Sequence, residues 1–184
     1  MSSLNYSLFQ FIHHFAGRWL LLDIVGIFFA QYLPYFMVAA FLIMVVGEPG
    51  WRRRLYLFAE GTIAVILARG LVTESIHFFY NHPRPFGALG FTPLIPESGA
   101  SFPSGHMAWF FALAMAIWYA NRKWGTWFFV LSLAMGIARI YAGVHWPYDV
   151  LGGIMIGLIC GWLVHWLLKE SREKLYRQAL VNRI

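Results

Sequence analysis

Long apolar stretches separated by short polar connections restrict this chain to a membrane. Apolar residues make up 60% of the sequence and charged residues only 12%, a balance typical of bilayer-embedded chains. A helix needs about 20 apolar residues to cross the hydrocarbon core. Stretches of this kind fall at residues 19–46, 55–80, 104–120, 124–141 and 148–168. We therefore predict an all-α integral membrane helical bundle of five or six transmembrane helices, forming one domain over residues 1–184.

The first apolar stretch, residues 19–46, is long for one crossing and short for two. Asp23, Gln31 and Pro34 interrupt it. Because proline removes a backbone hydrogen bond and bends helices, we predict one tilted helix with a bend at Pro34. A break at Pro34 into two partial helices is the alternative, and the side on which the N-terminus lies depends on this choice.

The segment before it, residues 1–16, carries apolar residues at helical spacing with polar residues between them. This pattern predicts an amphipathic helix that lies in the membrane interface. A secretory signal peptide would need a basic start before a continuous apolar stretch, whereas the first cation here is Arg18. At the other end of the chain, a basic tail occupies residues 169–184.

Basic residues cluster at the ends of the apolar stretches. The clusters are Arg52, Arg53 and Arg54; Arg122 and Lys123; and Lys169, Arg172, Lys174 and Arg177. All three clusters fall on one side, which the positive-inside rule makes cytoplasmic. The tail is then cytoplasmic and loop 81–103 faces outward. Since the net charge of +6 is explained by topology, we expect no nucleic-acid partner.

Three short motifs meet on the predicted outer side. They are Arg84-Pro85, Pro103-Ser104-Gly105-His106, and Arg139 followed by His145 and Asp149. Phosphoryl transfer spreads negative charge over phosphate oxygens and needs fixed cations and N–H donors. Arg84 and Arg139 can each offer a planar pair of donors to phosphate. Ser104 and Gly105 follow a proline as at a helix N-terminus, where free N–H groups attract an anion and glycine allows close approach.

Two histidines and one carboxylate supply the other groups that such a site needs. His145 and Asp149 are four residues apart. At the start of a helix the carboxylate can therefore reach one ring nitrogen and leave the other free to attack phosphorus. His106 would protonate the leaving group. These residues predict a metal-free phosphoryl-transfer site that uses no cofactor.

The three motifs resemble the signature motifs of the type 2 phosphatidic acid phosphatase superfamily, which also includes lipid phosphate phosphatases and vanadium haloperoxidases. The resemblance extends from about the second apolar stretch to the end of the fifth. It implies a phosphohistidine mechanism without a metal, in which His145 is the nucleophile, Asp149 its partner and His106 the acid. It also implies phosphate binding by four residues, Arg84, Ser104, Gly105 and Arg139.

The chain departs from the motifs of this family at two positions. The first motif usually begins with a lysine seven residues before its arginine, where this chain has His77. The third motif usually opens with a serine, where this chain has Ala138. We predict that His77 partly replaces the lysine as a phosphate-binding group.

The second apolar stretch is unusually polar, because it contains Glu60, Arg69, Glu74 and His77. Charges at membrane depth are costly unless they pair or face water. We predict that Glu74 and His77 line the site, together with Pro103. For Glu60 and Arg69, an interhelical ion-pair network is the alternative to a role in the site.

A site on the outer face of a chain with little mass outside the membrane points to a lipid phosphate as substrate. In its overall outline the chain is similar to the bacterial bacitracin-resistance branch of the superfamily. This similarity implies hydrolysis of undecaprenyl diphosphate to the monophosphate, at the outer face of the bacterial cytoplasmic (inner) membrane. The alternative within the superfamily is a phosphatidylglycerophosphate phosphatase or a lipid A phosphatase.

Two other classes of protein fit the residues. A metal-dependent hydrolase could use histidines and carboxylates as ligands, and the candidates are His77, His106, His145, Asp149 and Glu74. An inactive relative could bind lipid phosphate as a membrane scaffold without turnover. The sequence leaves the oligomeric state undetermined.

Overall fold

The computed structural model describes residues 2–181, with side chains through Ser171, and these residues form helices and connecting loops without a β-strand. The helices are α1 (Ser3–His13), α2 (Leu20–Gly47), α3 (Trp51–Phe79), α4 (Pro85–Leu89), α5 (Gly105–Ala120), α6 (Arg122–Tyr141) and α7 (Pro147–Val181). Four of them, α2, α3, α6 and α7, are long and apolar enough to cross a membrane, and α5 is a shorter apolar helix. The predicted all-α membrane bundle is confirmed.

Helix α5 forms the centre of the bundle and packs against α3, α6 and α7. Its contact with α7 is the most extensive in the structure, because glycines on α7 let the two backbones approach. A Cβ atom at Gly157 would lie 2.7 Å from Phe111 Cβ and 2.8 Å from the Ala108 carbonyl oxygen. Small residues at such contacts allow close helix packing in membranes, so the glycines of α7 hold α5 inside the bundle.

Helix α2 runs through its whole length without a break, in agreement with the single-helix prediction. The backbone makes π-helical turns at Phe28–Tyr32, directly before Pro34. Proline has no N–H to donate to the carbonyl four residues earlier, which here is that of Ala30. The Ala30 oxygen instead accepts a hydrogen bond of 3.1 Å from Arg139 Nη1. The residue predicted to bend the helix therefore frees an acceptor for a side chain of the predicted site.

The two halves of α2 have different neighbours. The half before Pro34 contacts α6, and the half after Pro34 contacts mainly α3. Since α6 and α3 lie on different sides of α5, helices α2 and α3 diverge toward the end of the bundle that carries the first residues of α5. This divergence opens a groove between them, with α5 as its floor.

The motifs and the basic clusters lie at opposite ends of the bundle. The site end, as we call it, consists of the last residues of α3 and α6 and the first residues of α5 and α7. The arginine cluster at 52–54 begins α3, and Arg122 begins α6, so both lie at the other, basic end. Helix α7 continues through the first part of the predicted tail to Val181. The side chains from residue 172 on, and residues 182–184, lie outside the described part of the chain.

Helix α1 lies at the site end and contacts α6 and α7. The Asn5 side chain accepts a hydrogen bond of 3.1 Å from the backbone N–H of Tyr148, in the first turn of α7. Phe9 is fully buried and its ring lies 4.9 Å from that of Trp146. The N-terminus is therefore at the same end of the bundle as the site. The predicted location of α1 in the membrane interface stays a prediction.

Two acidic residues of α3, Glu60 and Glu74, contact basic side chains. Glu60 is buried, and its carboxylate lies 2.7 Å from Nδ1 of His165 on α7. A face of the His165 ring stacks on Tyr119 at a centroid distance of 3.4 Å. Arg69, in contrast, pairs with Glu74 on its own helix. The predicted interhelical pairing holds for Glu60, whereas the ion pair of Arg69 is within α3.

We expect Gly157→Ala to destabilise the bundle, because the new methyl group would press on the backbone of α5. Overpacking of this kind costs about 1–3 kcal/mol. Thermal unfolding in detergent, followed by the exposure of Cys160, would measure the loss. Gly47→Ala is the matched control, because no atom lies within 4 Å of its added Cβ. Equal unfolding temperatures for the two variants would contradict the prediction.

Candidate active site

The structure brings the three sequence motifs together at the site end. Arg84 directly precedes α4, Ser104 and Gly105 begin α5, Arg139 is in the last turn of α6, and Asp149 is in the first turn of α7. Helices α5 and α7 begin at Gly105 and Pro147, within one residue of the starts of the predicted stretches 104–120 and 148–168. Five of the polar motif side chains are buried, namely Arg84, Ser104, Arg139, His145 and Asp149.

Arg84 is held mainly by backbone carbonyl groups. Four of its N–H bonds donate at 2.9–3.1 Å to the carbonyl oxygens of Ser98, Gly99, Ala100 and Val144. The remaining donor, on Nη1, faces His145 Nε2 at 3.4 Å. Arginine has five N–H donors, so Arg84 offers a phosphate its charge and one donor, rather than the pair that the sequence suggested. Burial lowers the pKa of Arg84 to about 10, and it remains charged at neutral pH.

Arg139 keeps more of its donors for a ligand. Its Nη1 donates to the carbonyl oxygen of Ala30 and lies 3.5 Å from His106 Nε2. Its Nη2 pairs with the carboxylate of Glu97. Its Nε is buried and has no hydrogen-bond partner among the described residues. Nε and Nη2 form one edge of the guanidinium group, which is the arrangement that binds two oxygens of one phosphate.

In the described part of the chain, the buried side-chain atoms that lack a hydrogen-bond partner belong to residues in and beside this site. Within residues 2–171, the side-chain atoms of this kind are Arg139 Nε, Ser104 Oγ, His145 Nδ1 and His82 Nδ1. Such atoms are rare in folded proteins and need an explanation. A ligand rich in oxygen atoms that enters between the two arginines would give a partner to Arg139 Nε.

The carboxylate of Glu97 lies between the two arginines. It pairs with Arg139 Nη2, and its other oxygen is 3.8 Å from Arg84 Nη2. Nε2 of His145 and Nε2 of His106 border the same two guanidinium groups. An anion therefore already lies between the two arginines. Sequence analysis missed Glu97, although it is the only acidic residue in loop 81–104.

Asp149 holds the backbone around His145 more firmly than it holds the ring. Its Oδ2 accepts hydrogen bonds from the Trp146 N–H at 2.7 Å and from Ser101 Oγ at 2.5 Å. The same oxygen lies 3.5 Å from His145 Nδ1, and the contact does not meet hydrogen-bond geometry. Its Oδ1 lies 3.8 Å from His82 Nδ1. Sequence analysis missed Ser101 and His82, which no motif marks.

The residues predicted on α3 lie at the edge of the site. His77 Nε2 is 2.9 Å from the carbonyl oxygen of Pro103, so its ring supports the turn before Ser104. Glu74 is half-exposed and pairs with Arg69. Neither His77 nor Glu74 reaches the space between Arg84 and Arg139 in this structure. The predicted phosphate-binding role of His77 stays a prediction.

A groove leads from His106 toward the bilayer. Its first part is a cavity of about 300 Å³ between α2, α3 and α5, lined by Gln31, Pro34, Tyr35, Val38, Arg69, Gly105, His106, Trp109 and Phe110. Its second part, of about 260 Å³, continues toward the basic end and shares Val38 and Trp109 with the first. The second part is lined almost wholly by apolar side chains. Apolar walls that end at a charged site suit a ligand with a lipid tail and a polar head.

The side chains that the sequence offered as metal ligands do not form a metal site. Within the described part of the chain, no three His, Cys, Asp or Glu side chains group closely enough to hold a metal ion. His77 contacts a backbone carbonyl, and Glu74 pairs with an arginine. His106 and His145 each face an arginine.

The fold and the site together define a helical membrane protein with two buried arginines beside a groove between α2, α3 and α5. The sequence profile of the PAP2 superfamily matches residues 56–173. The chain belongs to the PAP2 superfamily, as its three motifs suggested. Helix α1 and helix α2 precede the matched region.

Individual relatives cover nearly the whole chain. Undecaprenyl-diphosphatase BcrC of Bacillus subtilis is 32% identical over 162 residues, which are 87% of this chain and 82% of the relative. The bacitracin transport permease protein BcrC of Bacillus licheniformis is 32% identical over 90% of this chain and 81% of its own length. The crystal structure of Aquifex aeolicus LpxE superimposes with a TM-score of 0.73 at 31% identity, covering 89% of this chain and 95% of that one.

We expect Glu97→Gln to strengthen the binding of inorganic phosphate or orthovanadate by about 10- to 100-fold, because a charged competitor between two arginines is lost. Isothermal titration of the purified protein would measure this change. Glu48→Gln, in the loop between α2 and α3 at the basic end, is the control with the same change of charge. Unchanged or weaker binding of both anions by Glu97→Gln would contradict the prediction.

We expect His145 to remain neutral from pH 8 to pH 5. Burial lowers the pKa of His145 to about 3; Asp149 opposes this shift, and the charges of Arg139 and Arg84 add to it. Because the folded pKa is depressed, the ring gains a proton only near the folded value, well below pH 5. The ¹⁵N shifts of labelled histidines, assigned with His145→Ala, would report its titration. A midpoint near 6.5 would contradict the prediction.

Proposed function

We propose that this protein hydrolyses undecaprenyl diphosphate to undecaprenyl phosphate and inorganic phosphate, through a phosphohistidine intermediate and without a metal ion. The observation that carries the proposal is the space between Arg84 and Arg139. Two guanidinium groups, the Nε2 atoms of two histidines and the partnerless donor Arg139 Nε border this space. A phosphate group has the negative charge that the two guanidinium groups attract, and its oxygen atoms can accept hydrogen bonds from these donors.

The groove supports a lipid as the carrier of that phosphate. It ends at His106, next to the arginines, and its far part between α2 and α3 is apolar. A lipid could therefore keep its tail at membrane depth while its head enters the site sideways. The similarity to undecaprenyl-diphosphatase BcrC of Bacillus subtilis supports a polyprenyl diphosphate as this lipid.

In the first step, Nε2 of His145 attacks the distal phosphorus. This nitrogen faces Arg84, while Nδ1 faces Asp149. A neutral ring has a free lone pair on Nε2 when Nδ1 carries the proton, and Asp149 favours that tautomer. The bond from phosphorus to the bridging oxygen breaks, and His106, which takes up a proton from solvent as the negatively charged diphosphate binds, gives that proton to the oxygen. The leaving group is the lipid monophosphate.

In the second step, water attacks the phosphohistidine. His106, now neutral, accepts a proton from this water, and the hydroxide forms the new bond to phosphorus. The bond to His145 Nε2 breaks, which regenerates the neutral ring and releases inorganic phosphate. Arg84 and Arg139 stabilise the charge on the phosphate oxygens in both steps. Glu97 must leave the guanidinium groups while phosphate is bound.

The distribution of charge supports an outward-facing site. The described basic clusters, at residues 52–54 and 122–123, lie at the end of the bundle opposite the motifs. The positive-inside rule makes that end cytoplasmic in a bacterial inner membrane. In this orientation the C-terminus is cytoplasmic, and the N-terminus and helix α1 lie on the outer side with the site.

A lipid A phosphatase is the second candidate within the same chemistry. Its support is the similarity to the lipid A 4'-phosphatase of Bacteroides thetaiotaomicron, which is 34% identical over 42% of this chain. A phosphomonoester on a sugar headgroup could use the same arginines and histidines. The two candidates differ in the group that leaves from phosphorus, and in the tails that the groove must hold.

We expect the purified protein in detergent with excess chelator to release phosphate from undecaprenyl diphosphate. His145→Ala should lose about 10³-fold or more in turnover while it still binds orthovanadate, because only the nucleophile is removed. A brief reaction with substrate labelled on the distal phosphorus, quenched in base, should trap label on the parent protein. Trp127→Phe, on the exposed face of α6, is the control variant.

Three results would contradict the proposal in different ways. Loss of activity in chelator that zinc or magnesium restores would overturn the metal-free mechanism. Full activity of His145→Ala would overturn the phosphohistidine. Release from lipid A but not from undecaprenyl diphosphate would favour the second candidate, and binding of both lipids without release would favour a lipid-binding scaffold.

A further inference from the structure

Arg69 is a cation beside the site that the proposed mechanism leaves without a task. It lies in π-helical turns at Ile66–Thr73 of α3, and such turns often occur at functional sites. Its guanidinium group lies directly against the first residue of α5. A Cβ atom at Gly105 would be only 3.0 Å from Arg69 Cζ, so a glycine at this position makes room for the arginine.

The groove places Arg69 on a different side of His106 from the other two arginines. Arg69, Gly105 and His106 line the cavity that opens toward lipid, and among the described residues Arg84 and Arg139 are not part of that lining. His106 also lies 3.5 Å from Arg139 Nη1. Along the path from lipid to the phosphate space, Arg69 therefore comes first, His106 forms the boundary, and Arg84 and Arg139 follow.

We infer that Arg69 binds the proximal phosphate of a lipid diphosphate and thereby selects diphosphates over monophosphates. This inference rests on the proposed function and adds the residue that decides the number of phosphates. When the distal phosphorus lies at His145 and the tail lies in the groove, the bridging oxygen meets His106. The proximal phosphate then lies on the groove side of His106, where Arg69 is. A lipid monophosphate has no phosphate at that position.

The chemistry of the leaving group gives Arg69 its effect on rate. When the bond between the distal phosphorus and the bridging oxygen breaks, negative charge moves onto the proximal phosphate, and His106 supplies one proton. A fixed guanidinium group at that phosphate stabilises the charge as it develops. Glu74 balances the charge of Arg69 in the free protein. Because Glu74 is half-exposed, it can turn to water when phosphate replaces it.

Two substrates with one tail would test the inference, namely farnesyl diphosphate and farnesyl monophosphate in detergent micelles. Arg69→Gln should lower kcat/KM for the diphosphate by about 10- to 100-fold, as expected for the loss of a charge-assisted contact. Its kcat/KM for the monophosphate should stay within about threefold of the parent. Arg69→Lys keeps the charge but not the planar pair of donors. Its kcat/KM for the diphosphate should therefore lie between those of the parent and of Arg69→Gln.

Arg18→Gln is the matched control, because Arg18 is also near the site end but is exposed and contacts His14 rather than the groove. Retained activity of Arg69→Gln on the monophosphate shows that the variant is folded. An equal loss on both substrates, or no loss on the diphosphate, would overturn the inference. Failure of the parent itself on both substrates and on undecaprenyl diphosphate would instead overturn the proposed function.

Discussion

The structure depends on keeping two arginine charges in a buried site at one end of a membrane bundle. An unpaired charge in such surroundings is costly, and the chain offsets this cost with backbone carbonyls. Four of them surround Arg84, and Ala30 contributes another to Arg139. Loop 90–104 is shaped by these contacts, so the charge that would bind substrate also orders the segment that covers it. Glu97, from the same loop, completes the neutralisation.

This arrangement explains why helices of unequal length build one site. Helix α5 is shorter than the neighbouring helices. Its N-terminus therefore lies inside the bundle, under loop 90–104. His106 thereby faces Arg139, at the end of α6. Close packing on the glycines of α7 fixes α5 at this depth. The first turn of α7 brings Asp149, whose backbone carbonyl accepts a hydrogen bond of 2.9 Å from Ser104 N–H.

Most of the fold could be predicted from the sequence, because apolar length and proline and glycine positions act locally. The helix of residues 20–47 and the helix starts at Gly105 and Pro147 lie close to their predicted bounds. The contacts that the sequence did not reveal are between residues that are far apart in the chain and meet only in the folded structure. Glu97 is separated from Arg139 by 42 residues, and no pattern connects them. The ion pair of Arg69 was expected between helices, but it forms with Glu74 on the same helix, next to π-helical turns.

Because Pro34 lacks an N–H, the sequence of α2 can vary in evolution without loss of the contact between Ala30 and Arg139. Helix α2 precedes the matched region of residues 56–173, yet it forms one wall of the groove and holds Arg139 through Ala30. That hold uses only the backbone oxygen of Ala30, which stays available as long as the proline remains four residues later. The lipid-facing side chains of α2 are thus free to vary independently of the chemistry. The wall of the groove and the position of Arg139 can therefore evolve as separate traits of one chain.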